Sequence, residues 1–394
     1  MSRRPPKQAA YDLLQIVRLR RAGEPFPPVA QPAGAGAARS LFIGPANSAG
    51  QGATWARAAE RAGFGIAAVS MAFARAGGFA FAVDQAVPSA YGAHSRAWQR
   101  RQLAGVSGFD AALLESGLPP FAGLLGGDPL AQIRALEAAG VRTALLFHGS
   151  DIRDPDRHLA AEPHSHFGDP DFAATFREVT ARNRALVGAA GIPVFVSTPA
   201  LLDELPGARW LPVVVDPDRW ALAEPPFAGG ERPRAVHIPS NSAVKGTELV
   251  DPVLRRMADD GRIDYRPVSG IPHAEMPAAY GAADVVVDQF RVGDYGVAAC
   301  EALAAGRLVI SHVSDRVRER TRELTGDALP VVEATPETLE AVLDDVAQRP
   351  AHYAEIAAQG PAFVRRHHDG RRSGLVLAEW MGCAVEAPAE EADR

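Results

Sequence analysis

The sequence predicts an α/β protein made of two parallel sheets in tandem, each covered by helices, with a cleft between the two halves. Three observations lead there. From residue 40 to 196, short apolar runs alternate with helical stretches, the pattern of a parallel sheet buried on both faces. The rhythm breaks at 212–230, a stretch dense in Pro and Asp, and restarts at Arg234. The length of 394 residues, with 47% hydrophobic and 22% charged residues, suits two ordinary globular domains and contains no apolar run of the ~18 residues needed to cross a membrane.

Taken in order, residues 6–21 read as a helix opened by Pro5-Pro6, followed by a Gly-, Pro- and Ala-rich linker to residue 38. A strand at 40–43 leads through a polar loop, 44–52, into a helix at 53–62. Strands are expected at 65–71 and 78–83, a helix at 94–103, a strand at 111–114, a helix at 130–139 and a buried strand at 142–147. Residues 148–169 read as a long loop rich in His, Asp and Pro. A helix at 171–190 and a strand at 193–196 complete the first half. The second half reads as strand 234–238, helix 247–257, strand 264–267, helix 273–282, strand 284–288, helix 297–305 and strand 308–311. Helices at 336–347, 350–365 and 371–382 follow. The chain divides accordingly into a basic helix and linker (1–38), a first domain (39–215), a second domain (216–368), a helix crossing back to the first domain (369–383) and a mobile acidic tail (384–394). Ligands of open parallel sheets bind at the carboxyl ends of strands, so both halves should aim those ends at the cleft.

Charge and composition narrow the function. The net charge of −6 disfavours a general nucleic-acid binder. Residues 1–38 carry six basic and two acidic residues, a net +4, which leaves −10 on the remainder. The first helix is read as packed on its own domain; contact of residues 1–21 with an anionic membrane surface is the second reading. Cys300 and Cys383 are too few for a disulfide scaffold and read as reduced thiols of a cytoplasmic protein, and the N-terminal stretch lacks the apolar core of a secretion signal. Of 41 basic residues only Lys7 and Lys245 are lysine, a bias expected of a GC-rich bacterial genome. Lys245 is then the one lysine outside the first helix, and an ammonium is not interchangeable with a guanidinium at a tight phosphate site.

Four loops can carry chemistry. In GPANSAGQG, residues 44–52, Gly44, Gly50 and Gly52 let the backbone approach a ligand at a helix N-terminus, although the spacing is neither a dinucleotide fingerprint nor a P-loop. His148 opens HGSDIR directly after the buried strand. His158, His164 and His166 lie in the same stretch, but their spacing matches no metal motif and no metal is assigned. Lys245-Gly246 sits at a helix start, an anion site suited to a diphosphate. The segment FRVGDYGVAACEALAAG places Glu301 on an Ala-rich helix, where a carboxylate needs hydrogen-bond donors such as paired ribose hydroxyls.

With these loops in place, residues 40–382 resemble the retaining GT-B glycosyltransferases, in particular glycosyltransferase family 4. Tyr295-Gly296 through Glu301-Ala302-Leu303-Ala304-Ala305-Gly306 is similar to the family's Glu-Gly-Phe-Gly…Glu-Ala-Met-Ala-x-Gly segment, and Lys245-Gly246 to its Lys-Gly. His148 stands in the place of its cleft histidine. The resemblance implies two Rossmann-like domains and transfer of a sugar from a nucleotide-diphosphate (UDP or GDP) sugar to an unidentified saccharide, lipid-linked or small-molecule acceptor, with retention and without a metal or other cofactor. It implies His148, Lys245 and Glu301 as catalytic residues. Donor contacts are expected from Gly50, Gln51, Gly52, Asn241, Lys245, Gly246, Asp294, Tyr295, Gly296, Val297 and Glu301. Two positions depart from the family: Gly293, with Asp294 beside it, stands where the family has its first Glu, and Ser240-Asn241-Ser242 lacks the family's Arg, for which Arg291 is a candidate replacement. Two other readings stay open: a GT-B protein that binds a nucleotide or nucleotide sugar without transfer, as a scaffold or partner subunit, and a sugar-nucleotide epimerase on the same fold.

Overall fold

The computed structural model describes residues 6–32, 36–74, 81–230 and 232–384. Among them, two wholly parallel sheets carry the fold. The first contains β1 (Arg39–Gly44), β2 (Ile66–Ala74), β3 (Gln85–Pro88), β4 (Ala111–Glu115), β5 (Arg142–Phe147), β6 (Val194–Val196) and β7 (Arg209–Trp210), in the order β3-β2-β1-β4-β5-β6-β7. The second contains β8 (Arg234–His237), β9 (Asp264–Pro267), β10 (Val285–Val287), β11 (Leu308–Ser311) and β12 (Val332–Glu333), in the order β12-β11-β10-β8-β9. β1, β4 and β5 are continuous apolar runs because both faces are covered, and their register, Ile43 beside Leu113 and Leu113 beside Ala144, stacks one apolar layer. Strand order reverses between β1 and β4 in the first sheet and between β8 and β10 in the second. The loops leaving these strands therefore open at the two switch points, where such sheets bind ligands.

Helix boundaries follow local chemistry. Asp128 and Asp169 cap Pro129–Ala138 and Pro170–Ala190 by accepting from the backbone at Leu130 and Phe172, with Pro at the first helical position. Gly191, at φ 63°, ends the second of these helices. Several expectations need correction. The helix expected from 94 starts at Arg96, because the Ser95 hydroxyl caps it at Trp98 N. Of the strand expected at 78–83, residues 78–80 lie outside the described residues and 81–83 are not strand. Pairing with β2 starts at Gln85, after Asp84 has turned its carboxylate onto the Ser70 amide and hydroxyl. The stretch 148–169 is not a plain loop: Asp154 caps a helix, Pro155–Ala161, and Ser165 caps a 3-10 turn, His166–Gly168. A helix at Asp315–Thr325 was not anticipated. Residues 385–394 of the expected tail lie outside the described residues.

The last helix, Arg371–Trp380, packs against Gln51–Arg61 of the first domain. Leu377 and Ala378 join Trp55, Ala58 and Ala59 in one core, and Gly374 is needed there because a Cβ would sit 2.5 Å from the Ala58 carbonyl oxygen. Ser373 Oγ and Trp55 Nε1 both donate to Pro212 O at 2.8 Å, fastening this helix and the first domain to the connection between the halves.

Candidate functional site

On the first-domain side, β1 runs into the loop 44–52. Asn47, Ala49 and Gly50 take left-handed backbone angles, with φ of 49°, 50° and 75°. The loop is held by Glu115, the last residue of β4, which is fully buried and accepts from Ala46 N at 2.9 Å and Asn47 N at 2.8 Å. Gly50 lies under Phe81, where a Cβ would come within 3.0 Å of the ring, and Gly52 lies against Asn47 and Glu115. The Gln51 amide is bonded in both directions to the Val214 backbone, at 2.6 and 3.1 Å, so it faces the connection between the domains rather than a donor.

His148 stacks on Trp55, with ring centroids 5.7 Å apart, and its Nε2 lies 3.3 Å from Glu115 Oε1. That pair is in ionic range but outside hydrogen-bond geometry, and both buried atoms lack a hydrogen-bond partner in the protein. Burial opposes a charge on His148, but Glu115 and then Asp151 outweigh it and hold its pKa above the usual histidine value. The Asp151 carboxylate also accepts from the His148 and Gly149 amides, which fixes the turn.

On the second-domain side, Lys245 closes a four-residue helix, Ser242–Lys245, whose first amides are capped by Asn241 Oδ1. The Asn241 side chain is thus committed to the cap. Gly246 turns the chain at φ 78°, close against Arg291 and Phe290. Lys245 Nζ pairs with Asp288, at the end of β10, and Asp288 Oδ2 is buried without a hydrogen-bond partner. Glu301 is buried on the helix Val297–Ala304 and accepts from His273 Nε2 at 2.6 Å. Burial raises its pKa against the opposing pull of His273, Arg219 and Lys245. His273 is flanked by Phe81 of the first domain, with ring centroids 5.0 Å apart, and by Trp220 at 5.7 Å.

The neighbouring donor candidates divide. Gly296 faces open space at the helix start, with Val297 half-buried behind it. The Tyr295 side chain lies in the second-domain core, its hydroxyl 3.4 Å from His368 Nε2, so only its backbone is available to a ligand. Asp294 is buried and spends its carboxylate on Arg153 Nη2, 3.0 Å away across the cleft, and on the Tyr295 amide. Arg291 pairs with Glu248 and donates to Ser165 O, so its guanidinium bridges the domains. A cavity of about 940 Å³ opens between the domains, lined by Phe81, His148 and Arg153 on one side and Val244, Asp294 and Gly296 on the other. Lys245 and Glu301 stand behind this lining, engaged by Asp288 and His273.

The histidine-rich stretch crosses to the second domain. His158 bridges Ser165 Oγ and Val292 O, at 2.6 and 3.1 Å. His166 bonds Ser150 Oγ at 3.0 Å and lies 3.4 Å from Arg291 O, and His164 meets Glu337 at 2.6 Å. Glu162 bonds His312 Nε2 at 2.7 Å, and His312 Nδ1 bonds Glu333 at 2.6 Å. Gly293 makes this possible: at φ 66°, a Cβ there would lie 2.2 Å from Glu162 Oε1. Among the described residues, no group of three or more His, Cys, Asp or Glu side chains is arranged to hold a metal ion. Sequence reasoning missed Glu115, Arg153, Glu162, His273 and Asp288. Glu115 and Asp288 did leave a signal, since each is a carboxylate ending an apolar strand run, at the carboxyl end where sites form.

No protein-family model and no curated protein matches the chain. Solved structures do match along nearly its full length. Sucrose-phosphate synthase from Thermosynechococcus elongatus aligns with a TM-score of 0.55 at 12% identity, over 86% of this chain and 97% of that one. Anabaena HepE in complex with UDP and glucose aligns at 0.54 and 12%, over 87% and 99%. The catalytic domain of starch synthase IV from Arabidopsis thaliana, bound to ADP and acarbose, aligns at 0.52 and 10%, over 88% and 99%. With its two parallel sheets facing one cleft, the chain has the GT-B fold.

Proposed function

We propose that the protein is a glycosyltransferase that moves a sugar from a nucleotide-diphosphate sugar to an acceptor, with retention and without a metal. One observation carries the reading: at the switch point of the second sheet, Lys245, in the segment after β8, reaches Asp288 directly after β10, and Glu301 lies on the helix that follows the same strand. Such a pair matches a diphosphate joined to a ribose. Lys245 has three N–H donors and Asp288 takes one, which leaves two for phosphate oxygens. Glu301 has acceptor capacity beyond its bond to His273, and ribose hydroxyls are its natural donors. The amides at the start of Val297–Ala304, beside Gly296, would meet phosphate or sugar oxygens.

His148 lines the first-domain side of the cavity, across from Val244 and Gly296. With Glu115 favouring its protonated form, it would lie beside the donor sugar near the reacting carbon. In a front-face substitution the acceptor oxygen bonds to the anomeric carbon on the side from which the diphosphate departs. The bond from that carbon to the phosphate oxygen breaks, and the acceptor proton passes to the departing oxygen. Lys245 and the helix amides stabilise the charge that develops there. Gly50 and Gly52 would let the first domain's backbone close on the sugar. Gln51, Asn241, Asp294 and the Tyr295 ring support the loops rather than touch the donor.

HepE is described with UDP and UDP-glucose, and starch synthase IV with ADP, so UDP- and ADP-sugars are the first donors to assay. The test is mass-spectrometric detection of transfer over a donor and acceptor panel, preceded by thermal shift with the free nucleotides. Transfer undiminished in Lys245→Ala and Glu301→Ala would overturn the assignment. Tight nucleotide binding with neither transfer nor donor hydrolysis would select a binding protein instead.

A further inference from the structure

The first helix, Pro6–Arg21, lies against the short helix Ser89–His94. Asp12 makes the join: it bonds His94 Nδ1 at 2.7 Å and accepts from Gln8 at 3.0 Å, while the Tyr11 ring meets His94 edge-on at 5.3 Å. Asp12 is the only acidic residue in this helix, and it is buried against the body. With 3.6 residues per turn, Asp12, Gln15, Ile16 and Leu19 share the inward side. The outward side is left with Ala10, Leu13, Leu14 and Val17 down its centre, Arg20 on one edge, Lys7 and Arg18 on the other, and Arg21 closing the stripe at its C-terminal end. Leu13 and Leu14 are 65% and 58% exposed, more than any other large apolar side chain among the described residues.

A solvated helix face does not need adjacent exposed leucines, and a face that binds another apolar surface does not need four cations and no acid. Apolar side chains between cations are what a helix lying in a bilayer interface presents. The helix is not long and apolar enough to cross a membrane. Residues 39–394, net −10, are repelled by an anionic surface and would leave this face as the point of contact. We propose that Pro6–Arg21 docks the protein on an anionic lipid bilayer, with Leu13 and Leu14 among the upper acyl carbons and Lys7, Arg18, Arg20 and Arg21 at the level of the phosphates. The docked helix is fixed to an edge of the first sheet that walls the cleft. His94 ends the helix that continues directly from β3, and β2 and β3 supply the apolar cleft residues Phe73 and Ala86.

The docking does not depend on sugar transfer and is tested without it. The full chain is sedimented with vesicles of phosphatidylcholine alone, or with about a third phosphatidylglycerol, at low and physiological salt. The expected result is pelleting with the anionic vesicles, weakened by salt and absent with phosphatidylcholine alone. Each of Arg18→Glu and Arg20→Glu should weaken binding at least roughly fivefold. Leu13→Asp with Leu14→Asp should abolish binding while the unfolding midpoint stays that of the wild type, since both side chains are exposed. A wild-type chain that stays in the supernatant with anionic vesicles at low salt overturns the proposal. So does equal pelleting of the double-Asp variant, which would mean charge alone binds. A concentration-dependent dimer that the double-Asp variant dissolves, without vesicle binding, would assign the face to a second copy and likewise overturn it.

Discussion

Two regions meet at the cleft, and they use charged groups in opposite ways. In the histidine-rich crossing, ring nitrogens and carboxylates find partners on the other domain: Glu162 on His312, His158 on Val292, Arg153 on Asp294. Beside Lys245 and at His148, buried polar atoms remain without hydrogen-bond partners: Asp288 Oδ2, Glu115 Oε1 and His148 Nε2. A satisfied network fixes geometry, whereas an unsatisfied buried atom costs about 1–3 kcal/mol and is tolerated where function uses it. The comparison separates a crossing whose side chains bond one domain to the other from a proposed site whose buried carboxylates and histidine keep bonding capacity that a ligand could use.

Arg153→Ala should have the largest effect. It leaves Asp294 buried and unpaired, so the free energy of denaturant unfolding should fall by about 3–5 kcal/mol. Replacing both partners by apolar residues of similar size should recover most of the loss. Next comes Lys245→Ala, for which sugar transfer should drop by about 10²–10³-fold in kcat, while the unfolding free energy falls by less than in Arg153→Ala, because Lys245 and Asp288 are the less buried pair. If instead Arg153→Ala proves neutral while Lys245→Ala unfolds the chain, the contrast between the crossing and the proposed site is wrong. Gly293→Ala forces a side chain into a left-handed position facing Glu162 and should cost about 1–2 kcal/mol in thermal unfolding, less if Glu162 is also shortened.

The smallest effect is on pH. His312, bonded to Glu162 and Glu333, is raised to about 9 from 6.5. Its stabilising contribution should be complete below about 6.5 and lost as pH rises through about 9. His158 and His166 are pushed down mainly by burial, to about 4 and about 3. Below about 6.5 the unfolded chain takes up protons that the folded chain refuses, so stability should also fall as pH drops toward 4. Melting temperatures across this range should peak near neutrality, and His312→Gln should flatten only the alkaline side. A flat profile in the wild type would detach these histidines from the crossing.

The elements that were legible in the sequence are those whose cause is local. The run at β5 was read with its bounds because it is apolar on both faces, and the long helix, expected at 171–190, spans Pro170–Ala190, where Asp169 caps its start and Gly191 its end. Lys245 stood out by its rarity and Glu301 by its apolar surroundings, and both lie at the second sheet's switch point. Gln51, Asp294 and Tyr295 were expected at the donor from the resemblance of their loops to those of the family, and a matching position does not tell where a side chain turns. Gln51 turned to Val214, Asp294 to Arg153 and Tyr295 into the core.

Periodicity, caps and breakers act within a few residues, and by themselves they determined the alternation of strands and helices, the two halves and the loops that could bind a ligand. Only the tertiary structure decided which charges meet. Arg153 and Asp294 are 141 residues apart and Glu162 and His312 are 150 apart. The energy of each pair depends on burial and distance, which exist only once the two sheets have been set against each other.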